Sequence, residues 1–192
     1  RVLFRSTVSG TASVQQHLTS GRNWYFASPV SNATSNVIKG TAGNQLWERN
    51  VAGNSWSEIA GTTADLTPAR GYIAKVAQTG VVTFTGTLNN GQVQYPIIRH
   101  GVASGQFHLV GNPYASYLDW QSVVTANPNV MSTMWFRTTT ATNAYMFATV
   151  LMSDGIPIVA APNASTTVTK FIPPMQGFWV RINDGVTEGI NF

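Results

Sequence analysis

Short runs of alternating apolar and polar residues follow one another along the whole chain, with Gly, Asn or Pro between them. Period-two alternation over so few residues marks half-buried strands. It predicts strands over 1–7, 13–18, 24–28, 45–49, 71–76, 81–87 and 92–99, then over 107–110, 133–137, 145–151, 166–171, 178–182 and 190–192. Asn89-Asn90-Gly91 predicts a tight turn, because Asn and Gly accept positive φ. Only one stretch reads as helix. After Pro113, Ser116-Tyr117-Leu118-Asp119 has the Ser-x-x-Asp form of a cap, with Leu118, Val123 and Val124 facing inward and Asn127-Pro128 ending the helix. Together these elements predict an all-β chain, an antiparallel sandwich or barrel with one short helix after Pro113.

The pattern is also written twice. Gly21-Arg22-Asn23-Trp24-Tyr25-Phe26-Ala27-Ser28-Pro29 matches Gly105-Gln106-Phe107-His108-Leu109-Val110-Gly111-Asn112-Pro113. Leu46-Trp47-Glu48-Arg49 matches Met134-Trp135-Phe136-Arg137. Pro68-Ala69-Arg70-Gly71-Tyr72-Ile73-Ala74-Lys75-Val76 matches Pro174-Met175-Gln176-Gly177-Phe178-Trp179-Val180-Arg181-Ile182. Three matches in one order point to two internally duplicated units. The boundaries are 1–88, a first β repeat with an N-terminal strand, and 89–192, a second with an insertion between Arg137 and Pro174. Pro-x-x-Gly before an apolar strand reads as a chain reversal: Pro fixes one φ and Gly takes a conformation other residues avoid. In the strand that follows, Tyr72 and Ala74 share one side and Ile73 and Lys75 the other. Trp179 and Arg181 stand in the places of Ile73 and Lys75.

Composition changes the picture in one respect. Hydrophobic residues make up 43% and aromatics 11%, but charged residues only 9%, far below the roughly 25% usual in soluble domains. The net charge of +4 comes from 11 basic and 7 acidic residues, and the arginines never form a run. That argues against a nucleic-acid partner, which needs a dense basic face. There is no cysteine, hence no disulfide and no thiol chemistry. No apolar stretch approaches the ~20 residues of a membrane span. No signal peptide is seen, and the chain reads as a mature or excised fragment.

Candidate chemistry is sparse. Glu48, Glu58, Asp65, Asp119, Asp154, Asp184 and Glu188 sit in plain turn or cap contexts, and none recurs at an equivalent place in both repeats. His17, His100 and His108 lack metal-ligand spacing, and no nucleophile elbow or phosphate loop occurs. No catalytic residue, metal or cofactor is therefore assigned. The remaining candidates are aromatic. Trp47 and Arg49 share one strand face, as do Trp135 and Arg137. Each pair reads either as a core anchor beside a surface cation or as a sugar platform with a flat indole and a hydroxyl-binding guanidinium. Trp56 and Trp120 have no counterpart in the other repeat and are the more natural ligand-facing tryptophans.

Trp24-Tyr25-Phe26-Ala27-Ser28-Pro29-Val30, Leu109-Val110-Gly111-Asn112-Pro113-Tyr114 with Leu118-Asp119-Trp120, and Ile172-Pro173-Pro174-Met175-Gln176-Gly177-Phe178-Trp179-Val180-Arg181 carry a resemblance. The chain resembles a β-rich region of secreted Bacteroidetes surface proteins, found just before the C-terminal sorting domain read by the type IX secretion system. The resemblance spans nearly the whole chain from about Ser13. It implies export to the outer cell surface or the extracellular space, neighbouring domains of a larger surface protein as partners, and no catalytic residue. The sorting domain itself does not follow Phe192, so it is expected to have been cleaved or left out. The expected function is a non-catalytic surface module supporting adhesion or presenting a neighbouring domain. The first alternative is a carbohydrate-binding module that takes polysaccharide or a host or surface glycan on its tryptophans. The second is a glycoside hydrolase with an unmarked carboxylate pair.

Overall fold

The computed structural model describes residues 9–98, 107–142, 144–161, 164, 167–183 and 187–192. The strand expected over 1–7, Gly105, Gln106, His100, Asp184 and the start of the strand expected over 166–171 lie outside the described residues. The first half runs β1 (Thr11–Leu18), β2 (Asn23–Phe26), α1 (Asn36–Lys39), β3 (Gln45–Asn50), β4 (Ser55–Glu58), β5 (Tyr72–Lys75) and β6 (Gly80–Thr87). The second runs β7 (Gln94–Ile98), β8 (His108–Gly111), β9 (Leu118–Asp119), α2 (Trp120–Ala126), β10 (Thr133–Thr139), β11 (Tyr145–Ser153), β12 (Ile156–Ala160), β13 (Phe171–Ile172), β14 (Gly177–Val180) and β15 (Thr187–Asn191). The chain is all-β and antiparallel.

The two halves of the chain are built alike. The first half builds a sheet in the order β2-β5-β3-β4, the second one in the order β8-β14-β10-β11 with β12 added at the edge. In each half the first and last strands pair as a separate ribbon, β1 with β6 and β7 with β15. Register agrees as well. Phe26 opposes Tyr72 as Val110 opposes Phe178, and Trp47 opposes Ile73 as Trp135 opposes Trp179. Arg49 opposes Trp56 as Arg137 opposes Phe147. The extra length between Arg137 and Pro174 goes into the long β11–β12 hairpin and β13.

Alternation explains the cores. Phe26, Leu46, Tyr72 and Ala74 turn toward the β1–β6 ribbon and pack with Leu18, Phe84 and Ile38 of α1. Val110, Met134, Phe178 and Val180 turn toward the other ribbon and pack with Ile97, Ile190 and α2. The intervening residues point the other way, so Tyr25, Ile73 and Leu109 are buried where the two sheets meet, with Trp47 and Trp179 against them. Each sheet thus has one face on its own core and one on its twin.

Backbone contacts stitch this seam reciprocally. Ala27 N–H donates to Met175 C=O at 2.9 Å, and Gly111 N–H donates to Ala69 C=O at 3.0 Å. The bridges Phe26↔Gln176 and Arg70↔Val110 show the same exchange. Both Pro-x-x-Gly turns close through an i to i+3 hydrogen bond, from Arg70 N–H to Thr67 C=O and from Gln176 N–H to Pro173 C=O, each 3.2 Å. The residues at positive φ are Ala69 (62°) and Met175 (63°), the third position of a type II turn. The expectation that Gly71 and Gly177 supply the unusual conformation is therefore corrected. They are glycines because the other half comes too close. A Cβ on Gly71 would lie 2.8 Å from the Leu109 carbonyl carbon, and one on Gly177 2.8 Å from that of Tyr25. Met175, buried, reaches into the first half's core.

The helix cap is also corrected. Asp119, not Ser116, is the N-cap of α2, its Oδ1 accepting from Gln121 N–H at 3.1 Å. Ser116 stays outside, its carbonyl held by Asn112. α1, β4, β9 and β12 have no counterpart in the sequence reading. α1 is a single turn, and the exposed β4 and β12 lack a buried side to create alternation.

Candidate functional site

Beside the seam, the inter-sheet faces of both halves leave an open cleft of about 440 Å³ lined by Tyr25, Arg49, Asn54, Trp56, Phe107, Trp135, Phe147 and Trp179. Its volume falls in the range of small-ligand sites. Strand geometry explains each wall. Arg49 sits opposite Trp56 on the β3–β4 hairpin, and Trp135 sits opposite Trp179 on β10 and β14. Tyr25 comes from β2, on the side away from Phe26 and the first core.

The aromatic rings meet edge to face. Trp56 and Trp179 have centroids 5.7 Å apart at 78°, Tyr25 and Trp179 6.0 Å apart at 72°, and Phe107 and Trp135 5.0 Å apart at 89°. These walls form corners and not one flat platform. Trp56 is 38% exposed and Phe147 51%, so rings remain open to a ligand.

Guanidinium groups are laid over these rings. Arg49 Cζ lies 5.5 Å from the Trp56 centroid and 5.8 Å from that of Trp179. Arg137 Cζ lies 4.1 Å from the Tyr145 ring and 5.7 Å from Tyr25. Arg181 Cζ lies 5.7 Å from Phe107. Such stacking holds a cation while leaving its N–H edge available. Arg49 uses Nη1 on Ser55 C=O at 3.2 Å and Nη2 on Asn54 Oδ1, and Arg137 Nη1 donates to Tyr25 Oη at 3.1 Å. The Nε groups of Arg49, Arg137 and Arg181 and the indole Nε1 of Trp179 are buried with no acceptor. Burial lowers the Arg49 pKa from its ordinary value, with the Tyr25 phenol acting in the opposite direction.

The structure thus gathers Arg49, Trp56 and Trp135 into one cleft, with Arg137 at its margin against Tyr25. Trp47 stays outside, packed on the Tyr25–Ile73–Leu109 seam. Trp120 is corrected. It is fully buried, edge-to-face on Phe178 at 5.7 Å, with Nε1 donating to Ser132 C=O at 2.9 Å, and cannot face a ligand. Tyr25, Asn54, Phe107, Phe147 and Trp179 were missed. The signal for Trp179 is the difference between repeats, an indole where the first has Ile73.

The acidic residues lie elsewhere. Glu48 pairs with Arg70 at 2.9 Å, Glu58 with Lys39 at 3.7 Å and Asp119 with Lys170 at 3.0 Å. Among the described residues no group of three His, Asp or Glu could hold a metal ion, and no helix is long and apolar enough to cross a membrane. His108 is buried, its Nε2 2.8 Å from Ile98 C=O. A smaller hollow of about 110 Å³ against β10 has Arg137 as its one charged lining residue.

Compared with known proteins, residues 6–192 match the model of one family, described as a domain of unknown function (DUF8693). No curated protein and no solved structure matches the chain.

Proposed function

We propose that the chain, which belongs to this family of domains of unknown function (DUF8693), is a non-catalytic binding module of a larger exported surface protein, and that its aromatic cleft takes a glycan. The observation that carries the proposal is the juxtaposition of Trp56, Trp135 and Trp179 with Arg49 in one open cleft. Indole faces cover the apolar faces of sugar rings, and fixed donors beside them take hydroxyl or acidic oxygens. Among the described residues no carboxylate lines the cleft, and the reading of a binding site is preferred to glycosidic hydrolysis, which uses a pair of acids. The outer-surface location and the neighbouring domains rest on the resemblance of the Gly111-Asn112-Pro113-Tyr114 and Ile172–Arg181 blocks.

A second reading, a module that docks or presents a neighbouring domain, is favoured by β12. Its five residues are all exposed, Ile156 at 66% and Ile158 at 54%, and it forms the outer edge of the five-stranded sheet. A bare apolar edge strand is a ready surface for strand addition.

A glycan-array screen of the purified chain, followed by Trp fluorescence titration of each hit, tests the first reading. Saturable binding that shifts the emission and is lost in Trp56→Ala supports it. Silence across plant, algal, host and bacterial glycans hands the function to the second reading.

A further inference from the structure

We infer that the cleft selects an anionic glycan, with the acidic group of the sugar, a uronate carboxylate or a sulfate ester, seated against the guanidinium edges of Arg49 and Arg137. This rests on the glycan reading above and adds the ligand's charge to it.

The inference comes from a donor–acceptor count. A neutral sugar presents hydroxyls that both donate and accept, and a site for it needs acceptors as well as donors. Here the acceptors are already engaged. Asn54 Oδ1 accepts from Arg49, and Tyr25 Oη accepts from Arg137. No lining residue is acidic. On or beside the cleft, the buried groups without a partner among the described residues are donors: Arg49 Nε, Arg137 Nε, Arg181 Nε and Trp179 Nε1. These Nε and indole groups are closed to solvent, but each Arg49 Nη keeps a second N–H beyond the one bond it makes, as does Arg137 Nη1. An acceptor-only group meets such donors with the stronger, charge-assisted kind of bond.

Charge points the same way. Arg70 and Lys170, away from the cleft, lie over the rings of Tyr72 and Phe171 and are also paired with carboxylates, Glu48 and Asp119. Around the cleft Arg49 lies over Trp56 and Trp179, Arg137 over Tyr25 and Tyr145, and Arg181 over Phe107, and no carboxylate is among the described residues of the lining. A ring quadrupole holds a cation without neutralising it. The result is an apolar-walled cleft with Arg49 in its lining and Arg137 and Arg181 on the rings beside it, a setting that favours an anion.

The test compares binding of the full chain to oligogalacturonate, its methyl ester, a sulfated galactan oligosaccharide and the matching neutral galactan by titration calorimetry. The expected result is that at least one anionic oligosaccharide binds at least about tenfold more tightly than its uncharged counterpart, the loss expected from one charge-assisted hydrogen bond. The preference should shrink as salt rises. The uronate and sulfate arms decide which acid is taken. Arg137→Gln should lower affinity for the anionic sugar by a larger factor than for the neutral one, whereas Trp56→Ala should weaken both alike. Equal binding of charged and neutral sugars overturns the inference and leaves the glycan reading standing. Binding of none of them, or of anionic peptides in their place, overturns both.

Discussion

Gly177 stands against the backbone of Tyr25, from the other half of the chain, so closely that a Cβ would lie 2.8 Å from the Tyr25 carbonyl carbon and 2.9 Å from Phe26 N. Backbone cannot yield as a flexible side chain can. Gly177→Ala is therefore expected to destabilise the protein by about 1–3 kcal/mol, the usual cost of overpacking, and Gly71→Ala to do the same through Leu109. Gly61→Ala, where nothing lies within 4 Å, is the control. Thermal melting of the three variants checks this; equal melting points would remove the close-approach explanation for the two glycines.

Asn112 is fully buried, its Nδ2 donating to the carbonyls of Ser116, Ile172 and Pro173 at 2.7, 3.1 and 3.0 Å while Oδ1 accepts from Tyr114 N–H at 3.0 Å. The Gly-Asn-Pro-Tyr block is thus a structural clamp joining β8 to the turn before β14. Asn112→Ala should cost about 2–3 kcal/mol, because it strands several buried polar groups. Urea denaturation measures the loss. Ser28, at the equivalent place, spans only its own turn through Val30, so Ser28→Ala should cost less.

How far the sequence foretold this differs between fold and site. Alternation along Tyr72-Ile73-Ala74 and Phe178-Trp179-Val180 was enough to place these strands and separate their two faces. Which strand pairs with which is set by long-range contacts that local spacing does not carry. The strands that escaped are those with both faces in water, β4 and β12, since alternation records burial and they have little. For the site, Arg49 and Trp135 were legible as members of Trp–Arg pairs on strand faces, and Trp56 as a tryptophan with no counterpart in the other repeat. Trp120 was misplaced because a tryptophan without a counterpart looks free. In the fold it begins α2 where Asn36 begins α1, and the helix turns its ring into the core. Tyr25 and Trp179 join the cleft only because two sheets meet face to face, a long-range fact that no local spacing carries.

High pH should unfold the protein by a specific route. Burial is the main cause that raises the pKa values of Tyr72, Tyr95 and Tyr114 above the ordinary 10.0. In the unfolded chain these phenols ionise first. Their contribution to stability is whole below about pH 10 and is lost as pH rises through the raised folded values. The urea midpoint should therefore hold steady from neutral pH to about 9 and fall beyond 10.

Met175→Ala should cost about 2–5 kcal/mol, as expected for emptying a buried side-chain site, although Met175 belongs to the second half and the site to the first half's core. Hydrogen exchange should accordingly quicken at Phe26 and Phe84. Acceleration limited to the second half would show that the turn is merely adjacent.

Opening the connection between the halves should not release them. A protease site introduced at Gly91, an exposed turn residue at φ 69°, should yield two fragments that still elute together under native conditions. Each half retains the other's Pro-x-x-Gly turn, and Asn89 Nδ2 reaches carbonyls on both sides, Ser28 at 3.0 Å and Pro113 at 2.8 Å.

The reciprocal seam has the form of a twofold dimer interface drawn inside one polypeptide: Ala27 meets Met175 as Gly111 meets Ala69. Two identical subunits meeting this way share every substitution, so whatever one side of the axis gains the other gains too. Joining the subunits lifts that restriction. Ile73 and Trp179 occupy one structural place, yet only one is an indole, and so are Leu109 and Tyr25 free to differ. The covalent tie lets a symmetric scaffold carry a lopsided recognition surface across its own axis, where a homodimer would be bound to repeat the same residues on both sides.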